Sequence, residues 1–103
     1  MKKIIIATLA LVGIASAAPV WAHTPLMACF DEGDGSITCE GGFSDGSSAS
    51  GVEFRLEQDG KVLLETKFNA YGEVNFPKPE HPYAAVFYAG KGHEVRIDGA
   101  NIF

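Results

Sequence analysis

The chain has 103 residues, which is the size of a single domain, and 47% of them are hydrophobic while 20% are charged. Its 8 basic and 13 acidic side chains give a formal charge of −5. This acidic balance argues against a partner that is nucleic acid or an anionic lipid surface, and it favours cations or basic partners. For most of these carboxylates, solubility alone is a sufficient explanation.

The first 22 residues have the three parts of a secretory signal. Lys2 and Lys3 precede an apolar run from Ile4 to Ala18, and Val20-Trp21-Ala22 supplies small or modest residues at a cleavage site. The run is too short to be a good membrane span. We therefore predict a signal peptide over residues 1–22 and one periplasmic or secreted domain over 23–103, with no membrane insertion after cleavage. Without Lys2 and Lys3 its formal charge is −7.

A second cleavage point is also conceivable. Leu26-Met27-Ala28-Cys29 resembles a lipoprotein box, although His23, Thr24 and Pro25 separate it from the apolar run. Cleavage there would discard His23, attach a lipid to Cys29 and leave Cys39 without its partner.

Cys29 and Cys39 are the only cysteines. In an oxidising compartment an even number of cysteines favours a disulfide, which would stabilise the small core of a mature chain of 81 residues. The alternative is a pair of thiolate ligands for a metal.

Turn residues recur every several positions, and no window has the apolar period of a helix, a pattern typical of short β-strands. Seven strands are predicted, near residues 26–30, 36–40, 52–57, 61–67, 73–76, 83–89 and 93–97. This number predicts an all-β Greek-key sandwich of immunoglobulin or transthyretin type.

Two hairpins are expected. We predict a three-residue loop at Gln58-Asp59-Gly60, which would place Leu56 opposite Val62 and Phe54 opposite Leu64. The alternative is a two-residue Asp-Gly turn, which would place Phe54 opposite Glu65. Residues 66–68 are expected to pair with 73–76 around a turn at 69–72.

The segment Tyr83–Ala89 is apolar on both faces. This pattern indicates a central strand that is covered on each side or packed at an interface.

His23 is the first candidate metal ligand. After cleavage behind Ala22 its α-amine and imidazole belong to one residue and can chelate nickel or copper together. Pro25 has no amide proton, which blocks chelation through a deprotonated amide at that position. A signal peptidase must also leave some residue first, so the histidine alone does not establish a metal site.

His93 is the second candidate ligand, because it follows Gly92 in phase with Val95 and Ile97. A hydrogen-bonded histidine at the rim of the core is the alternative reading. His81 lies in an exposed-looking loop and has the weaker case.

Other patterns do not indicate a site. The Asp31, Glu32 and Asp34 segment does not follow the EF-hand order and is better explained as a solvated hairpin tip. The sequence has neither a nucleophile elbow nor a His-Glu-x-x-His pattern. We therefore expect no enzymatic activity.

A resemblance to a known family adds to these points. Small periplasmic accessory proteins of nickel and cobalt uptake transporters, which have a carboxypeptidase regulatory-like or transthyretin-like β-sandwich, are similar to the chain at its start at His23 and in four segments, 42–46, 52–56, 69–77 and 90–95. The resemblance implies a non-catalytic periplasmic module that binds a transition metal or docks on a membrane transporter component. It draws attention to His23 and His93 and not to His81.

A second class of function remains open. The two-sided apolar segment Tyr83–Ala89 is also compatible with an exported interaction or structural domain that docks on a protein partner without a metal.

Overall fold

The computed structural model describes residues 24–103; the predicted signal peptide and His23 lie outside the described residues. The described chain is almost entirely β-structure, which confirms the predicted fold class. Its elements are β1 Pro25–Asp31, β2 Ser36–Phe43, β3 Glu53–Gln58, β4 Lys61–Lys67, β5 Glu73–Pro77, β6 Ala84–Tyr88, β7 Glu94–Asp98 and a short 3-10 helix, Gly99–Asn101. Over residues 24–103, no helix has the length and apolar character needed to cross a membrane.

The strands form two antiparallel sheets, one of order β1-β2-β5 and one of order β4-β3-β6-β7. The second strand pairs with the fifth and the third with the sixth, as in immunoglobulin-type Greek-key sandwiches. The fourth strand differs from the constant-type arrangement because it pairs with β3 rather than with β5.

The core lies between the sheets and is rich in phenylalanine. Alternating residues of β2, β3 and β5 are buried, and Phe54, Phe76 and Phe87 are at most 1% exposed. The Phe54 ring centroid lies 5.5 Å from that of Phe76 in the opposite sheet, a spacing typical of favourable aromatic pairs. The two sheets are therefore held together by direct packing of aromatic side chains.

A disulfide joins the first two strands. Cys29 of β1 lies directly opposite Cys39 of β2, and their sulfur atoms are bonded. Cys39 is fully buried. The predicted pairing of the two cysteines is confirmed, and the described residues contain no free cysteine.

The hairpin between β3 and β4 has a different register from either one predicted. Asp59 and Gly60 form a two-residue turn with positive φ angles of 52° and 76°, which matches the twist of the flanking strands. Leu56 pairs with Leu64 and Glu57 with Val62, so that Leu63 is an extra, bulged residue. The predicted pair of Leu56 with Val62 is therefore wrong.

The bulge also explains why the alternative register, in which Phe54 faces Glu65, is not observed. Because it inserts one residue into β4, Phe54 lies opposite Thr66 and not opposite Glu65, as the alternative two-residue turn would require.

The predicted hairpin between residues 66–68 and 73–76 is also wrong, since β5 pairs with β2 in the other sheet. The turn at 69–72 itself is present, with the Gly72 amide donating to the Asn69 carbonyl over 2.9 Å.

The two-sided apolar strand predicted over 83–89 corresponds to β6, which lies in the interior of its sheet. Phe87 points into the core, whereas Val86 points outward and is still only 1% exposed. Val86 lies opposite Arg55 on one side and Arg96 on the other. We attribute its burial to the aliphatic stems of these two arginines, which can cover apolar surface while their charged ends stay in water.

Candidate functional site

An open cleft of about 530 Å³ lies at one end of the sandwich. The last residues of β2 and β6, the first of β3 and the loops beside them contribute its walls, which consist of Phe43, Ser47, Val52, Glu53, Tyr88, Ala89 and His93. Most of this lining is apolar, with few polar groups. Such a combination is typical of small-molecule and cofactor sites.

His93 reaches the cleft from a tight turn between β6 and β7. The His93 amide donates to the Gly90 carbonyl over 2.8 Å, and the Ala89 amide donates to the His93 carbonyl over 3.0 Å. Gly90 and Gly92 have φ angles of 128° and 82°, which side chains rarely allow. The two glycines are therefore the local reason why the chain can turn and present His93 here.

The His93 ring has a backbone contact inside its own turn. Nδ1 of His93 lies 3.3 Å from the Lys91 carbonyl oxygen. Because a carbonyl can only accept, a hydrogen bond here requires Nδ1 to donate. Histidines that bind metals through one ring nitrogen commonly donate from the other nitrogen to a carbonyl in this way.

The beginning of the described chain is attached to the rim of this cleft. The Thr24 amide donates to Oγ of Ser44 over 3.0 Å, and the Ser44 amide donates to the Thr24 carbonyl over 2.9 Å. Ser44 directly follows Phe43 in the sequence and lies three residues before Ser47, both of which line the cleft. The two hydrogen bonds therefore hold Thr24 at the end of β2, next to a residue of the cleft wall.

Glu53 is a residue of the cleft that the sequence did not indicate. Its carboxylate accepts a hydrogen bond from Nε of Arg55 over 2.6 Å, and Glu65 lies 3.5 Å from the same nitrogen. Hydrogen bonding with Glu65 and then with Arg55 lowers the pKa of Glu53, while the contact with Glu53 raises the pKa of Glu65. Glu53 therefore favours its ionised form, paired with the Arg55 guanidinium in the wall of the cleft. Its position depends on strand pairing, which a pattern of alternating residues does not reveal.

The structure places the predicted site residues as follows. Cys29 and Cys39 form the disulfide and are not available as thiolate ligands. His93 lies in the cleft, and His23 lies outside the described residues. Within residues 24–103, no group of three or more His, Cys, Asp or Glu side chains is close enough together to hold a metal ion. A metal site that includes His93 and has three protein donors would therefore need a donor from outside residues 24–103.

His81 is remote from this cleft. Its backbone carbonyl accepts from Nε2 of Gln58, at the opposite end of β3 from Glu53. The two described histidines, His81 and His93, therefore do not share a site.

The acidic segment between β1 and β2 forms a hairpin tip, as predicted. The Asp31 carboxylate accepts from the Gly33 amide and from Nζ of Lys78, each over 2.9 Å. Asp34 accepts from the amide of Ser36 over 2.9 Å and from its hydroxyl over 2.7 Å. The hydrogen bond from Lys78, followed by that from Gly33, lowers the pKa of Asp31. These carboxylates stabilise the turn.

Comparison of the chain with protein-family models, curated proteins and solved structures finds no significant match.

Proposed function

We propose that this chain is an exported, non-catalytic module that binds a divalent transition metal, nickel, cobalt or copper, and assists its uptake by a membrane transporter component. The ligands are the α-amine and imidazole of His23, after cleavage behind Ala22, together with Nε2 of His93. The observation that carries the proposal is the attachment of Thr24 to Ser44 at the rim of the cleft that contains His93.

Covalent geometry supports a shared site for the two histidines. The Cα atom of the residue before Thr24 lies about 3.8 Å from that of Thr24, whichever way the chain points. The Thr24 amide is held by Ser44, one residue from Phe43 in the cleft wall. A mature chain that begins at His23 would therefore begin at the mouth of the cleft.

The donor set and the charge both suit a cation. Amine and imidazole nitrogens are preferred ligands of nickel, cobalt and copper. The chain without its signal has a formal charge of −7. A negative field of this kind attracts cations to the protein.

The contribution of His93 can be measured by titration calorimetry on the exported protein with nickel, cobalt and copper. His93→Ala should lower the affinity at least about tenfold, equivalent to about 1.4 kcal/mol. His81→Ala is the matched control, because His81 lies at the other end of the four-stranded sheet, and it should leave the affinity unchanged. Equal losses in the two variants would indicate adventitious binding by surface histidines and would contradict the proposal.

A second function is favoured by β4, which is an edge strand. Its residues Val62, Leu63 and Leu64 are 52%, 51% and 36% exposed. An exposed edge with apolar side chains can pair with a partner, although the bulge at Leu63 interrupts it. The chain would then be an exported interaction domain that docks on a protein without a metal. Light scattering should show self-association that Leu63→Lys abolishes; a strict monomer would count against pairing between copies.

A further inference from the structure

The edge formed by β1 differs from the other sheet edges of the described chain. β1 and β5 are the edges of the three-stranded sheet, and β4 and β7 are those of the four-stranded sheet. Charged side chains, proline and bulges are the features that keep exposed edges from pairing. The other edges have them: Lys61, Glu65, Lys67 and the bulge at Leu63 in β4, Glu73 and Pro77 in β5, and Glu94, Arg96 and Asp98 in β7. Between Pro25 and Asp31, β1 has no charged residue and pairs with β2 in unbroken register.

Hydrogen bonds at the two ends of β1 show which of its backbone groups face β2. The Ser44 amide donates to the Thr24 carbonyl over 2.9 Å, and the Glu32 amide donates to the Ser36 carbonyl over 3.0 Å. Bonded and non-bonded residues alternate along an antiparallel ladder. The even-numbered residues of β1 therefore bond to β2, and the odd-numbered residues direct their N–H and C=O groups to the open side of the strand.

The middle of this open side has free backbone groups. At one end the Asp31 amide already donates to the Phe103 carbonyl over 3.0 Å. At the other end Pro25 has no N–H to donate. Met27 and Cys29 lie between these ends, and each directs one N–H and one C=O outward, where no strand of the described chain pairs with them.

Three apolar side chains share the outer face of the same strand. Leu26 is 52% and Phe30 is 44% exposed, and Ala28 between them is also exposed. Met27 and Cys29 instead pack against the core. The outer stripe has a large, a small and a large residue, so the order of sizes is the same in both directions. Such a stripe matches itself when a second copy of the strand runs antiparallel to the first.

We propose that the protein forms a dimer in which β1 pairs with β1 of a second copy, antiparallel and centred on Ala28. In this register Met27 of each copy lies opposite Cys29 of the other. Because both residues direct their backbone groups outward, the two donors of each copy give four hydrogen bonds between the copies. The two three-stranded sheets become one continuous sheet of six strands.

The side chains fit the same register. Leu26 of each copy lies opposite Phe30 of the other, and a cross-strand pair of an aliphatic and an aromatic residue stabilises a sheet. Pro25 lies opposite Asp31, and neither has a free N–H, so the pairing ends there. The shared strip is short, which places the interface at the small end of specific interfaces and predicts a dimer that dissociates on dilution. The dimer does not depend on the metal function.

Sedimentation equilibrium of the exported protein between about 1 µM and about 1 mM tests the dimer. We expect a monomer–dimer equilibrium. Ala28→Lys should raise the dissociation constant at least about tenfold, because two like charges would face each other at the two-fold axis. Leu63→Lys is the matched control at the edge formed by β4, where the side chain is 51% exposed, and should leave the constant unchanged. A monomer at every concentration, or a dimer that only Leu63→Lys disrupts, would overturn the proposal.

Hydrogen exchange on the wild-type protein tests the pairing without a substitution. The Met27 and Cys29 amides should be protected at high concentration and should exchange freely on dilution. The Ala28 and Phe30 amides bond to β2 and should be protected at both concentrations. Dimers in which the Met27 and Cys29 amides exchange freely would show that another surface forms the interface.

Two double variants test the register. Leu26→Lys with Phe30→Glu places opposite charges across both outer pairs, whereas Leu26→Lys with Phe30→Lys places like charges there. The first variant should dimerise at least about tenfold more tightly than the second. Equal dissociation constants for the two variants would contradict the antiparallel pairing centred on Ala28.

Discussion

Thr24 and Ser44 hold each other by two hydrogen bonds, one from the Thr24 amide to the Ser44 hydroxyl over 3.0 Å and one from the Ser44 amide to the Thr24 carbonyl over 2.9 Å. The pair continues the β1–β2 ladder by one residue beyond Pro25 and Phe43. It places the beginning of the described chain where β2 ends, at the cleft that contains His93. The proposed role of His23 depends on this attachment.

Ser44→Ala removes the side-chain half of the attachment. Because the bond is exposed, we expect a loss of about 1 kcal/mol in the free energy of unfolding or less. We also expect weaker nickel binding, since the residue before Thr24 would be held less firmly beside the cleft. Urea denaturation and calorimetry measure the two effects. Ser50→Ala, a change of the same kind at another exposed serine of the loop, should alter neither; identical behaviour of the two variants would contradict the role of Ser44.

The sequence predicted the strands well and their partners poorly. Alternation between apolar and polar residues identified β3 and β4, but it did not reveal the bulge at Leu63, which moves Phe54 opposite Thr66. A bulge is decided by how one strand twists against its neighbour, and this information is not contained in either strand alone. The pairing of β5 with β2 likewise joins two strands of one sheet that are distant in sequence, and the pattern of neither strand reveals it.

The candidate site was predictable only in part. Histidine at the end of a Gly-Lys-Gly turn indicated His93, and the structure places its side chain in a cleft. Glu53 and Tyr88 could not be found in the same way, because they come together with His93 only through the pairing of β3 with β6 and of β6 with β7. The prediction about His23 falls outside residues 24–103 and stays a prediction.

The disulfide should stabilise the sandwich without taking part in metal binding. In the chain-entropy model, a link across so short a loop stabilises the fold by roughly 2 to 3 kcal/mol. Reduction of the wild-type protein should therefore lower its melting temperature, whereas the doubly substituted Cys29→Ala, Cys39→Ala protein should not respond to reductant. Nickel affinity should be the same in all folded forms. A large change of affinity on reduction would mean that the thiols are ligands.

The burial of Val86 by arginine side chains on the outer face of β6 can be tested at Arg55. Its guanidinium lies 4.4 Å from the centroid of the Tyr88 ring, and the residue lies opposite Val86. Arg55→Ala should expose Val86 and lower the urea midpoint. Arg55→Met keeps an apolar stem of similar reach and should lower the midpoint less. Equal losses would show that the charge of Arg55, and not its coverage of Val86, stabilises the sheet.

The ion pair between Asp31 and Lys78 predicts a dependence of stability on pH. Its hydrogen bonds lower the pKa of Asp31 below the unfolded value, so the folded state binds fewer protons than the unfolded state in this range. The contribution of Asp31 to the free energy of unfolding is present above about pH 4, and it is lost as the pH falls through the lowered pKa of Asp31. Lys78→Met should flatten the decline of the urea midpoint on the acid side. An unchanged slope between neutral pH and pH 2 would contradict the assignment.

The most direct test of the proposed function is the nickel affinity of the exported protein, with its first residue established by intact mass, compared with that of His23→Ala. The proposal predicts a chain that begins at His23 and an affinity at least about tenfold lower in the variant, because one imidazole donor of the chelate is lost. Equal nickel binding by the two proteins would contradict it.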